Sequence, residues 1–237
     1  MDYILKKYCP RIEFDSYEDF YENFQINVPA DFNFAYDVVD EWARVDQGKP
    51  ALVWCDDHGG EHTFTFGDIS RLSNKLANSY KELGIKKGDV VLCILRRRWE
   101  YWVCAVALCK LGATIIPASL QLTRKDVVYR ANSADVKAIV AVNDEYVCTQ
   151  VEEAMPDCPT VREKFIVDGS REGWVDFDEL IAGYPDTFER PTGDAGVTSK
   201  DIMLMYFTSG TTGNPKAVEH NFAHPLGHII TAKYWQQ

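Results

Sequence analysis

Nine consecutive residues carry the densest chemistry in this sequence: Thr208, Ser209, Gly210, Thr211, Thr212, Gly213, Asn214, Pro215 and Lys216. Four hydroxyls both donate and accept hydrogen bonds, and Lys216 adds a mobile positive charge. Glycine lets the backbone turn tightly and approach a ligand closely. Successive N–H groups then form an anion-binding nest. Such a loop suits a polyphosphate. The charge distribution agrees. The chain carries a net charge of −11, yet residues 196–237 hold three lysines (200, 216 and 233) against Asp201 and Glu219, a local +1 that leaves −12 for the rest. Two common phosphate motifs are absent. The form G-x-x-x-x-G-K-[ST] fails because Pro215 precedes Lys216 and Ala217 follows it, and G-x-G-x-x-G occurs nowhere. Composition alone does not separate this segment from a solvent-exposed turn.

The elements that must position the loop follow from hydrophobic periodicity. Residues 202–207 form an apolar strand running straight into it. Upstream, apolar strands at 89–95, 113–118, 136–142 and 164–167 alternate with helices at 69–83, 99–111, 123 onward and 144–155. Gly84 and Gly112 stand where a left-handed residue closes a helix. Thr123 with Asp126 resembles a capping box. Strands that are apolar throughout imply a layered α/β fold, with a mainly parallel sheet and helices on both faces. A hairpin is expected over 51–66, around Asp56-Asp57-His58-Gly59-Gly60. A helix is expected over 34–45 and a short one near 17–24. The expected organisation is an N-terminal arm (1–33), an α/β subdomain (34–182), a turn-rich connector (183–200), and the start of a second subdomain bearing the loop (201–237).

Length and composition bound the alternatives. With 237 residues, 46% hydrophobic and 26% charged, the chain is globular rather than collagenous, low-complexity or a disulfide miniprotein. Its acidity argues against general binding to nucleic acid or an anionic membrane. No apolar run approaches the ~20 residues of a membrane helix, and no apolar h-region follows the N-terminus. Seven cysteines, odd in number and with no C-x-x-C pair, read as buried thiols of a cytoplasmic protein without a zinc site. His220, His224 and His228 have i, i+4, i+8 spacing, but Pro225 is expected to spoil a common helical face, so no metal site is assigned. Arg96-Arg97-Arg98 reads as a solvated run, Trp99, Tyr101 and Trp102 as core and interface, and Asp56 and Asp57 as turn residues.

The order of residues in Tyr206-Phe207-Thr208-Ser209-Gly210-Thr211-Thr212-Gly213-Asn214-Pro215-Lys216 resembles the phosphate-binding signature of the adenylate-forming superfamily of acyl-CoA synthetases, luciferases and peptide-synthetase adenylation domains. The segments around Thr65 to Asp68, 84–91, 111–118 and 126–130 resemble the family's preceding units. The contexts of Arg130, 156–159 and Glu219-His220 are most similar to acetyl-CoA and medium-chain acyl-CoA synthetases. The likeness spans about residues 30–237. It implies the first half of a large N-terminal domain, with a small carboxylic acid, ATP, Mg2+ and coenzyme A as reaction components. It further implies that residues 208–213 wrap the β- and γ-phosphates and that Lys216 balances their charge.

Family members are more than twice this length. The resemblance places the adenine-binding segment, the acidic magnesium ligand and the catalytic lysine outside these residues, so the chain is expected to be inactive alone. A carrier-protein ligase and a non-catalytic binding module are the alternatives. The apolar face of Leu226, Ile229, Ile230 and Tyr234 is expected either to promote a dimer or to leave the last residues poorly ordered.

Overall fold

Strands that are apolar on both faces are stable only between two layers. The computed structural model, which describes residues 2–208 and 213–236, has that arrangement. In chain order the elements are α1 (Asp2–Tyr8), α2 (Tyr17–Asn23), a π-helical turn (Ala35–Asp40), α3 (Glu41–Val45), β1 (Pro50–Cys55), β2 (Glu61–Thr65), α4 (Phe66–Glu82), β3 (Val90–Ile94), α5 (Glu100–Leu111), β4 (Thr114–Pro117) and α6 (Arg124–Ser133). They continue with β5 (Val136–Val142), α7 (Glu145–Ala154), β6 (Glu163–Val167), β7 (Val175–Asp176), α8 (Phe177–Ala182), β8 (Ile202–Thr208), β9 (Lys216–Asn221) and α9 (His224–Tyr234).

Seven strands form one sheet in the order β7-β6-β5-β3-β4-β8-β9. Its neighbours run parallel except the final pair, where β9 turns back antiparallel on β8. β1 and β2 make a separate antiparallel hairpin. The pleat sorts β3 between two cores. Val91 and Cys93 face a cluster with α4, α5 and α8, whereas Val90, Leu92 and Ile94 face one with α6 and α7. Leu92 is fully buried. Truncating such a side chain to alanine typically costs about 2–5 kcal/mol.

Local chemistry starts and stops these helices. Thr65 with Asp68, and Thr123 with Asp126, form complete capping boxes at α4 and α6. Asp satisfies the reciprocal bond in both. Gly112 closes α5 at φ +75°, and a Cβ there would lie 2.7 Å from Val197, so both conformation and space demand glycine.

Several expectations need correction. The segment 34–45 is not one α-helix, because the π-helical turn precedes α3. The wider turn coincides with a buried ionic contact between Asp40 and Lys110 at 2.8 Å. Lys110 is fully buried and also touches Asn74 Oδ1 and the Ser70 carbonyl. Trp102 is 52% exposed rather than core. Cys55 is exposed, while the other six thiols are buried. The helices α1 and α8 and the strands β7 and β9 had no clear periodic signal.

The N-terminal arm covers part of the α9 face. Leu226 is buried with Ile4, Tyr8 and Phe32, Tyr234 packs edge-on against Phe20, and the Tyr234 hydroxyl donates to the Ile12 carbonyl at 3.0 Å. An apolar groove of about 690 Å³ remains between α1, the π-helical turn and α9.

Candidate functional site

β8 lies parallel to β4, with Ile115 opposite Leu204. The chain beyond Thr208 therefore emerges at the carboxyl edge of the parallel strands, where open α/β sheets gather their ligands. Thr208 and Lys216 face each other at the last rung of the β8–β9 ladder, and the Thr208 hydroxyl donates to the Lys216 carbonyl at 3.4 Å. The predicted loop is thus the connection of a β-hairpin. Thr208, Gly213, Asn214, Pro215 and Lys216 belong to the described structure. Ser209, Gly210, Thr211 and Thr212 lie outside the described residues.

The described flanks have two features suited to an anion. Gly213 has φ +117°, and among the described residues no atom lies within 4 Å of where a Cβ would stand. The need for glycine there is conformational. Lys216 is exposed and makes no salt bridge among the described residues. Its ammonium is available to a solute.

Sequence reasoning passed over the support for this turn. The Tyr129 hydroxyl on α6 donates to the Pro215 carbonyl at 2.9 Å. The Tyr129 ring meets Phe207 edge-on with centroids 6.1 Å apart, and the Arg130 guanidinium lies 5.2 Å from the Phe207 ring centroid. A cleft of about 530 Å³ opens beside the turn, lined in part by Arg124, Lys125, Tyr129, Asn132 and Asn214. Tyr129 and Pro215 are 86 positions apart, so only the folded chain reveals their contact.

The histidine expectation is corrected in part: His220 lies on β9, outside the helix, but His224 and His228 share a face of α9. Pro225 sits in the first turn of α9, where its missing N–H costs nothing, and the helix begins at His224. His224 and His228 then lie one turn apart with their Nε2 atoms 3.0 Å apart, and the His220 ring lies tilted against His224 with centroids 4.1 Å apart. Burial, then the neighbouring His220 and His228, push the His224 imidazole below its ordinary range. Among the described residues, no three His, Cys, Asp or Glu side chains converge as a metal-ligand set.

The other candidates have structural work. Arg98 pairs with Glu100 at 2.7 Å and Asp168 at 3.1 Å, and its guanidinium lies 5.4 Å from the Trp54 ring centroid. It is not part of a solvated run. Asp56 accepts the backbone N–H groups of His58 and Gly60, which closes the β1–β2 turn.

A mostly parallel sheet covered by helices on both faces, with an antiparallel β8–β9 hairpin at one edge, defines a layered α/β protein. The AMP-binding enzyme family matches residues 39–236, and the chain belongs to that family. Acyl-coenzyme A synthetase ACSM4, mitochondrial, of Rattus norvegicus is 36% identical over 216 residues, covering 88% of this chain and 36% of its own length. Acyl-coenzyme A synthetase ACSM3, mitochondrial, of Mus musculus is 34% identical over 230 residues, covering 94% and 39% respectively. Two solved structures share the fold. An anthranilate CoA ligase in complex with anthranoyl-AMP has a TM-score of 0.75 at 23% identity, covering 88% of this chain and 38% of its own. An acetoacetyl-CoA synthetase from Streptomyces lividans has a TM-score of 0.76 at 21% identity, covering 88% and 33%. The chain thus spans less than two fifths of the length of these curated relatives.

The cytoplasmic expectation does not survive this comparison, because the relatives are named as mitochondrial proteins. Free thiols, six of them buried, do not distinguish one reducing compartment from another. The cysteine pattern was never able to decide the point.

Proposed function

We propose that this chain forms the polyphosphate-gripping part of an ATP-dependent acyl-CoA synthetase acting on a short- or medium-chain carboxylic acid. In the first step a carboxylate oxygen attacks the α-phosphorus of ATP, and pyrophosphate leaves with the electron pair of the broken P–O bond. In the second, the sulfur of coenzyme A attacks the acyl carbon and AMP departs.

Residues 208–213 would surround the β- and γ-phosphates with N–H and O–H donors, Asn214 and Pro215 would shape the turn, and Lys216 would neutralise the leaving pyrophosphate. Fixed donors on so anionic a leaving group act by positioning and charge stabilisation. Mg2+, when bound with the nucleotide, would supply further charge neutralisation to the polyphosphate. The described residues around the turn offer hydroxyls, amides and an ammonium rather than converging carboxylates, so no step is assigned to the metal. The observation that carries the reading is the hairpin itself: Gly213 at φ +117° and an exposed Lys216 at the carboxyl edge of a parallel sheet, in a member of the AMP-binding family.

We further propose that the 237 residues alone bind polyphosphate without turnover, since the curated relatives are more than twice as long. The mitochondrial naming of those relatives supports a mitochondrial location. Pyrophosphate exchange with acetate through octanoate tests the enzymatic part. Binding of ATP without exchange is the expected outcome. Exchange catalysed by the isolated chain would overturn the partial-enzyme reading, and failure to bind ATP would overturn the phosphate assignment.

A further inference from the structure

Most turns between antiparallel strands are held by the ladder below them. Here the ladder ends at Thr208 and Lys216, so Pro215 stands just outside it. Proline has no N–H to offer, and its carbonyl is the backbone polar group that must find a partner. The Tyr129 hydroxyl provides one, at 2.9 Å. The strand leading into the turn is gripped by the same helix. The Phe207 ring lies against the Tyr129 ring and beneath the Arg130 guanidinium. Neighbouring residues of α6 therefore touch both sides of the turn.

That platform is anchored in its own right. The capping box of Thr123 and Asp126 fixes the start of α6. The Arg124 backbone N–H donates to Gln150 of α7 at 2.7 Å, and the Arg124 side chain pairs with Asp157. Arg130 is steadied by the Asp126 carbonyl at 3.1 Å. A rigid helix with one contact on each side of a turn sets the separation and direction of the two sides. The open geometry at Gly213 makes such outside support necessary, because glycine imposes little conformational restraint of its own.

We infer that Tyr129 is a positioning residue for the phosphate turn. It holds Pro215, and through it the Gly213 backbone and the Lys216 ammonium, in the arrangement that receives a polyphosphate. This inference rests on the polyphosphate reading above and adds the residue that prearranges the site. Tyr129 itself touches no reacting atom. Its contribution is to remove ordering that binding would otherwise have to supply.

The test uses the full chain and Tyr129→Phe, which keeps the ring against Phe207 and removes only the hydroxyl. Affinities for ATP, inorganic pyrophosphate and AMP are measured by titration, with the thermal midpoint and the hydrogen exchange of residues 213–217. Tyr129→Phe is expected to weaken ATP and pyrophosphate about three- to tenfold, the scale of one neutral hydrogen bond. AMP affinity and the midpoint stay unchanged, whereas a general packing defect would move all of them. Exchange at residues 213–217 quickens in the free variant and returns to the wild-type rate at saturating ATP. Wild-type polyphosphate affinity in Tyr129→Phe, with unchanged exchange, would overturn the inference. If the wild-type chain binds none of the three ligands, the polyphosphate reading fails. The free-state exchange comparison then still decides whether Tyr129 holds the turn.

Discussion

Removing the ammonium of Lys110 is expected to be among the most damaging single changes outside the phosphate turn. The Lys110 side chain has no solvent exposure, while its partner Asp40 is 26% exposed, and their charged atoms are 2.8 Å apart. Asn74 and the Ser70 carbonyl complete the surroundings of Nζ. Lys110→Met keeps much of the stem volume but removes the charge opposite Asp40, which retains only the Ser70 hydroxyl as donor, and leaves Asn74 Oδ1 without its donor. Removing one partner of a buried pair costs about 3–5 kcal/mol. Partial hydration of Asp40 places this case near the lower end, about 3 kcal/mol. For a chain of this size that is roughly 6–12 °C in thermal midpoint. Asp40→Asn should recover part of the loss in the double variant by replacing the stranded charge with a neutral amide. The pH dependence has a definite sign. Burial pushes the Lys110 ammonium below its ordinary 10.5, so between the lowered value and 10.5 the unfolded chain binds more protons. Stability conferred by this residue rises with pH across that window. Subtracting the Lys110→Met curve removes the background of titrating tyrosines. Urea unfolding followed by circular dichroism measures both effects. A loss below about 1 kcal/mol, or a difference that falls as pH rises towards 10.5, would refute the reasoning.

Gly213→Ala places a Cβ in open space but at φ +117°, a strain of about 1–2 kcal/mol. Titration should show at least severalfold weaker ATP binding, with the thermal midpoint lowered by about 2–8 °C. The N-terminal arm should loosen modestly in acid. Arg44 first, then Lys7, hold the Glu41 carboxyl down at about 2. Its contribution is complete above the ordinary carboxylate range and is lost as pH falls towards 2, which limited proteolysis of α1 as a function of pH would reveal. Glu41→Gln should raise the rate of α1 cleavage at neutral pH no more than severalfold in the same assay, because Ile4 and Tyr8 stay buried.

The layered sheet was readable because a buried parallel strand has a plain signature. The run Val90–Ile94 is apolar at every position, and helices with definite caps flank it. Thr123 and Asp126 declared the start of α6 even with aspartate where glutamate is usual. What escaped was non-local. β9 is mostly exposed and carries Lys216, Glu219 and His220, so it has no apolar rhythm, and only pairing with β8 makes it a strand. Pro225 read as a disruption of the histidine spacing, although at a first helical turn it is compatible with His224 on the same face. The phosphate turn was visible as residue types, while the residue that supports it, Tyr129, was not. A tyrosine on a half-buried helix carries no mark of its partner 86 positions away. Compartment was illegible for a different reason, since free thiols report redox conditions and not address.

The most direct measurement is calorimetric titration of pyrophosphate into the wild-type chain and into Lys216→Ala at two salt concentrations. The account predicts saturable one-site binding that weakens with salt and falls by about 10- to 100-fold in the variant, the scale of a charge-assisted contact. Equal affinity in the two proteins, or no binding to either, would contradict it.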